Sequence, residues 1–203
     1  AIGNNSNYRI RLYLDQPDYT YSIELTSTDN RATFWTDGQN LEIGDISLFT
    51  EGYAVTKFNN KMPDGSNGKD LGHPDTDFPV FRLADAYLMY AEAVLRGGGG
   101  DMATAVGYIN AIRERAYGDP AGNIEESDLT LDFILDERAR ELFWEAHRRT
   151  DLIRFGQFTD GTYMWPWKGG TPEGRAVSNH RDIYPIPQID IGANPNLVQN
   201  EGY

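Results

Sequence analysis

The chain has 203 residues, 39% of them hydrophobic, and a formal net charge of −13 at pH 7. That charge argues against nucleic acid, which wants clustered Lys and Arg, and against electrostatic docking on anionic lipid. The absence of cysteine excludes disulfides and thiolate metal sites, and no apolar run approaches the roughly 20 residues of a membrane span.

Residues 1–77 are rich in Gly, Asn, Asp, Thr and aromatics. Runs with strand character are expected at 8–14, 19–25 and 54–58, separated by turn clusters such as Ser27-Thr28-Asp29-Asn30 and Thr36-Asp37-Gly38. No signal peptide opens the chain. Because it starts at Ala1 and reads almost at once as a strand, it is expected to begin inside a larger protein. Residues 62–77 are a loop whose Asp64, Asn67, Asp70, Asp75 and Asp77 gather hard oxygens. They lack the EF-hand order, so a solvated acidic loop is the first reading and Ca²⁺ at Asp64, Asp70 and Asp75 the second.

At Phe78 the texture changes. Residues 81–96 read as a helix with Leu83, Ala84, Tyr87, Leu88, Ala91 and Leu95 on one face. Four glycines, 97–100, stop it, and Asp101 is placed to cap a second helix over 102–117 with Ala105, Ile109 and Ile112 inward. The pair resembles a tetratricopeptide hairpin. Residues 129–156 then predict one long helix, or one with a break near Thr150, bearing Trp144 in its packing face. Charges a turn apart pair along it: Asp136 with Arg140, Arg138 with Glu141, Glu145 with Arg149 and Asp151 with Arg154. The plain reading is a solvated, ion-laced helix. The sharper one is a polar seam in which Glu137, Arg138, Glu141 and Arg149 are buried against Arg82 and Glu92 of the hairpin. Glu137, Glu141 and Glu145 could in principle do glycosidase acid–base work, but interleaved arginines would hold them ionised, which suits structure. His73, His147 and His180 lack zinc-hydrolase spacing. After Gly156 a loop carries Tyr163, Trp165 and Trp167, the two tryptophans spaced to face one side of an extended segment.

Five segments resemble, in order and spacing, the C-terminal part of the SusD/RagB family: FRLADAYLMYAEA (81–93), AVGYINAIRERA (105–116), ILDERARELFWEAHRRTDLIRFG (134–156), YPIPQID (184–190) and NPNLVQNEGY (194–203). Asp29-Asn30-Arg31 resembles the family's Asp-x-Arg segment, and 52–57 its G-Y-x-x-x-K segment. The resemblance implies a mainly α fold: a tetratricopeptide-like hairpin plus a long helix, with a loop-rich segment and a few short strands. The expected organisation is a loop-rich ligand face over 1–77, a helical scaffold over 78–156 and a C-terminal loop and tail over 157–203.

The implied role is non-catalytic capture of glycans at the surface of Bacteroidetes and their delivery to a SusC-type TonB-dependent outer-membrane transporter. No cofactor is expected, and membrane attachment would come only through a lipid on an N-terminal region absent from this chain. A peptide- or protein-binding module of the same fold is the alternative, with a glycoside hydrolase further off. Sugar binding calls for aromatic faces and polar groups in loops, which singles out Trp35 with Asn30, Arg31 and Asp37, then Tyr53, Tyr163, Trp165 and Trp167. Competing readings make Trp35 a plug for the small sheet and Trp165 and Trp167 pins for their loop.

Overall fold

A computed structural model describes residues 28–70, 73 and 75–203. The strands expected at 8–14 and 19–25 lie outside the described residues. The elements are β1 (Phe34–Trp35), β2 (Ala54–Val55), α1 (Leu83–Leu95), α2 (Met102–Tyr117), α3 (Leu131–Leu142), α4 (Arg148–Arg154) and α5 (Gln188–Ala193), with short 3-10 turns between them. The molecule is therefore mainly helical. β1 and β2 pair antiparallel, Phe34 opposite Val55, and Phe34 stacks on Phe143 at 5.8 Å to fix this ribbon to the helices.

The hairpin of α1 and α2 forms where the apolar spacing put it. Arg96 ends α1, Gly97 takes φ +87°, and two bonds close the end: Gly97 N–H to Val94 O and Gly98 N–H to Ala93 O. This double closure satisfies carbonyls the helix itself leaves open and suits a residue without a Cβ. Asp101 then caps α2 by accepting from the Thr104 amide at 2.7 Å. Leu88 and Ala91 of α1, Ala105, Ile109 and Ile112 of α2, and Ile134 and Leu142 of α3 form one buried cluster with Leu129 and Phe133. Tyr87 and Tyr108 stack nearly parallel at 4.2 Å across the hairpin. Leu83, expected on the packed face, is 64% exposed, because it stands at the very start of α1, before the hairpin closes over it.

The long helix expected over 129–156 is two. α3 ends at Leu142 and α4 starts at Arg148, so the break falls at 143–147, upstream of Thr150. Two non-glycine residues there, Trp144 and Ala146, have φ of +61° and +63°. The cause is tertiary. Lys57 Nζ donates to the carbonyls of Glu141 and Phe143, and Arg82 Nη2 donates to Glu141 O. Cations thus take the end of α3 where continuing the helix would have used its carbonyls. Trp144, expected in the packing face, is instead 68% exposed. A buried Trp cut back costs about 3–5 kcal/mol. Here Trp144→Gly is expected to change unfolding free energy by less than about 1 kcal/mol, relief at positive φ offsetting lost chain stiffness. Urea unfolding of the variant measures this directly, and a loss above about 3 kcal/mol would restore Trp144 to the core.

The tail is held by side-chain amides. Gln199 bonds both the N–H and the C=O of Ile186 at 2.9 Å, Asn200 Nδ2 donates to Tyr184 O, and Tyr203 Oη donates to Ile183 O. This explains why the segments at 184–190 and 194–203 occur together: one supplies an extended backbone and the other the amides that pair with it.

Candidate ligand-binding grooves

The charged residues of α3 divide into two buried groups. In the first, Glu137 is fully buried and receives Arg31 Nη1 at 2.8 Å, Arg113 Nη1 at 2.8 Å and Arg140 Nη2 at 2.9 Å. Burial alone would raise its carboxyl, but the charges of Arg31, Arg140 and Arg113 outweigh that and hold it below the usual carboxylate range. Glu141 takes Arg82, Arg115 and Arg31, and Glu145 takes Arg82 and Lys57. In the second group, Arg138 bridges Asp85 of α1 at 2.8 Å and Asp151 of α4 at 2.9 Å. Glu92 of α1 receives Arg96 and Arg154. Few of the expected intrahelical pairs form. Arg154 does bond Asp151 at 3.0 Å, but Arg138 reaches across helices, Arg140 chooses Glu137, and Glu145 turns to Lys57 and Arg82.

Two seam and site expectations need correction. Arg149 pairs with no carboxylate among the described residues. It donates to the carbonyls of Arg181 and Asp182 and lies 3.8 Å from the Tyr184 ring centre. Arg31, expected to meet ligand, has every guanidinium nitrogen committed: Nε and Nη2 to Asp29, Nη1 to Glu137 and Glu141. Its proton is held more tightly than in a free arginine, hydrogen bonds and charge from Asp29 and Glu137 exceeding the burial penalty. Arg31 and Lys57 thus carry the two motifs of the loop-rich segment into the helical seam. They fasten the loops to the scaffold.

The remaining candidates fall into separate places. Trp35 is 55% exposed, with its indole N–H held by Asp37 O at 3.0 Å. It does not plug the sheet, a task Phe34 performs. Asn30 is exposed and Tyr53 half-buried. Trp165 and Trp167 do not share a face, because Trp167 turns to φ +67° and sends its indole N–H to Ile43 O at 2.9 Å, tying two loops together. The acidic loop forms no shared centre. Asp64 binds Ser66, Asp70 bonds the His73 amide, and Asp75 accepts from the Lys69 amide. Among the described residues no group of three or more His, Asp or Glu could hold a metal.

Tyr163 and Trp165 do come together, ring centres 5.8 Å apart. Trp165 also stacks on Phe158 at 6.2 Å, and Lys168 Nζ lies 4.5 Å from its ring. Lys168 is buried and donates to the carbonyls of Asp160 and Tyr163, which fixes the loop under the ring. Arg148 Nη2 donates to Tyr163 Oη at 2.6 Å from the start of α4. The result is two adjoining grooves with Phe158 and Trp165 as their common wall. One, of about 370 Å³, runs along Phe143, Arg148 and Arg149. The other, of about 470 Å³, runs along Lys168, Arg175 and Arg181. Both fall in the ~300–1,000 Å³ range of small-ligand sites. Phe158, Arg148 and Lys168 were not singled out from sequence. Only the aromatic cluster Tyr163-x-Trp165-x-Trp167 marked the region.

A model of the SusD family matches residues 24–203. The chain is 43% identical over 165 residues to the starch-binding protein SusD of Bacteroides thetaiotaomicron, covering 81% of this chain and 28% of that protein. It is 38% identical over 150 residues to SusD-like protein P25 of Formosa agariphila, covering 69% of this chain and 27% of that protein. Among solved structures it is similar to surface glycan-binding protein A from Bacteroides thetaiotaomicron in complex with laminarihexaose. That match has TM-score 0.62 and 26% identity, and covers 87% of this chain and 39% of the other. The chain thus spans under a third of the length of these two curated relatives.

Proposed function

This chain belongs to the SusD family, and from that premise we propose that it is part of a non-catalytic glycan-binding protein on the surface of a Bacteroidetes cell, held at the outer membrane by a lipid. The whole protein would pass captured oligo- or polysaccharide to a SusC-type TonB-dependent transporter. The ligand-bearing surface of this part lies over 157–181 against α4, with Trp35 and Tyr53 as a lesser platform on the ribbon.

The observation that carries the reading is the Phe158–Trp165 wall shared by two open grooves. A sugar ring has an apolar C–H face and a polar edge. The indole suits the first, while the Tyr163 hydroxyl and nearby guanidinium groups suit the hydroxyls of the second. Binding of this kind needs no poised acid, and the glutamates of α3 are committed to arginines. A similar role for the relatives named starch-binding and glycan-binding supports the same conclusion.

Calorimetry of the intact protein against a glycan panel tests it. Trp165→Ala is expected to weaken the best glycan by about 2 kcal/mol, roughly 30-fold. Binding to no glycan in the panel would sink the reading. A peptide- or protein-binding role has one observation in its favour, the exposed apolar side chains Phe81, Leu83 and Met89 at α1. It would leave Trp165→Ala without effect and make Met89→Asp disruptive.

A further inference from the structure

The charge around these grooves is unlike that of the rest of the molecule. The buried arginines of the seam all meet carboxylates. By contrast Arg148, Arg149, Lys168, Arg175 and Arg181 form no ion pair among the described residues, and all five line the two grooves. Arg148 donates to Leu135 O and Tyr163 Oη, Arg149 to the carbonyls of Arg181 and Asp182, Lys168 to two carbonyls and Arg175 to Gly169 O. None has a carboxylate at ion-pair distance among the described residues, although the charge of Asp136 acts on Arg148 and that of Asp160 on Lys168. Arg181 is exposed. One carboxylate lines the grooves, Asp151, and Arg138 and Arg154 neutralise it. The carboxylates nearest in sequence, Asp160, Glu173 and Asp182, line neither groove; Asp160 bonds Thr162, Asp182 bonds Thr159, and Glu173 is exposed.

We infer that the grooves beside Trp165 select an anionic saccharide, one bearing carboxylate or sulfate groups on sugar rings. The inference rests on the glycan-binding reading above and names the ligand class. Guanidinium groups match such oxyanions with paired, charge-assisted hydrogen bonds, while the common aromatic wall takes a ring face. The net charge of −13 does not cancel this. At physiological salt, fields fade over about 8 Å, so a bound anion feels the groove cations and little of the distant acids. The aromatic wall lies between the two sets of cations, an arrangement that fits a chain with charge repeated along it better than a single charged unit.

The test uses the intact protein with polygalacturonate, chondroitin sulfate and soluble starch as probes. The expected result is tighter binding of one or both anionic polymers than of starch, weakened several-fold when NaCl rises to about 0.5 M. Arg175→Gln with Arg181→Gln is expected to weaken the anionic polymer about tenfold, the effect of two lost charge contacts. Lys61→Gln with Lys69→Gln, an equal charge change far along the chain, leaves its affinity in place. An unchanged thermal midpoint shows that the arginine variant is folded. Starch bound as tightly as the anionic polymers, with no salt dependence, overturns the anionic inference and leaves glycan binding standing. Binding to none of a wider glycan panel overturns both. Chondroitin sulfate carries both groups, so its desulfated form is set beside it: binding that survives desulfation reads carboxylate, and binding lost with it reads sulfate.

Discussion

Glu137→Gln is expected to lower the unfolding free energy by about 3–5 kcal/mol, the range for removing one member of a buried ion group. Glu137 is fully buried and meets Arg31, Arg113 and Arg140. Its loss leaves three guanidinium groups with one fewer counter-charge where water cannot replace it. Arg140 suffers most, because its Nε and Nη2 rely on Glu137 and its buried Nη1 has no partner among the described residues. Amide in place of carboxylate keeps volume and shape, so the loss reads charge rather than packing.

A pH signature accompanies this. The carboxyls of Glu137, Glu145 and Glu92 are all held below their ordinary values, arginine bonds and charge outweighing the burial that alone would raise them. A group with a lowered folded-state pKa contributes stability above its unfolded pKa, about 4.3 for Glu, and loses it as pH falls through the folded value. Stability should therefore hold from pH 7 down to about 5 and then decline below about pH 4. In Glu137→Gln the acid decline should be shallower, since one of the protons that drives it is gone. Urea titrations between pH 7 and 3 measure both quantities. A variant as stable as the parent at pH 7 would mean that the three arginines find other partners.

Arg138→Met is the second large effect, also about 3–5 kcal/mol. Arg138 is buried and joins three helices at once, Nη1 to Asp85 of α1 and Nε to Asp151 of α4 from its own place on α3. Asp151 keeps Arg154, but Asp85 loses the ion-pair partner it has among the described residues. Arg138→Lys should fail to rescue. A single ammonium cannot present two nitrogens in a fixed fork to carboxylates on two helices. Combining Arg138→Met with Asp85→Asn should cost less than the sum of the two, with a coupling of at least about 1 kcal/mol. Strict additivity would show that Arg138 acts through Asp151 alone.

Local chemistry carried much of the architecture. Periodicity placed α1 and α2 nearly to the residue because their signals are short-range: apolar spacing, Gly97–Gly98 closing one end and Asp101 opening the next. The density of charge on α3 left a solvated helix and a polar seam both open, and the fold buries Glu137, Arg138 and Glu141. Sequence spacing could not name its partners, because several carboxylates and arginines lie within a turn of one another. Which of them meet depends on which helix comes close.

The candidate site was less legible. Arg31 beside Asp29 and Trp35 has the composition of a sugar site, yet its guanidinium is used up by Asp29 next to it and by Glu137 and Glu141 more than 100 positions away. Phe158 carries no motif and became a groove wall only when the loop folded over α4. Alternation would put Trp165 and Trp167 on one face, but the positive φ of Trp167 breaks it.

What the sequence determined by itself was therefore the family, through five segments in order along 81–203, and the helical hairpin and its caps, which are written in residues next to or one turn from each other. Tertiary structure alone decided the break at 143–147, the exposure of Trp144, the structural use of Arg31 and Lys57, and the set of cations left without acids around Trp165. Each of these turns on competition for a partner. A helix end goes to whichever cation arrives, and a charge is spent or spare according to what packs against it. Neither is fixed until distant segments meet.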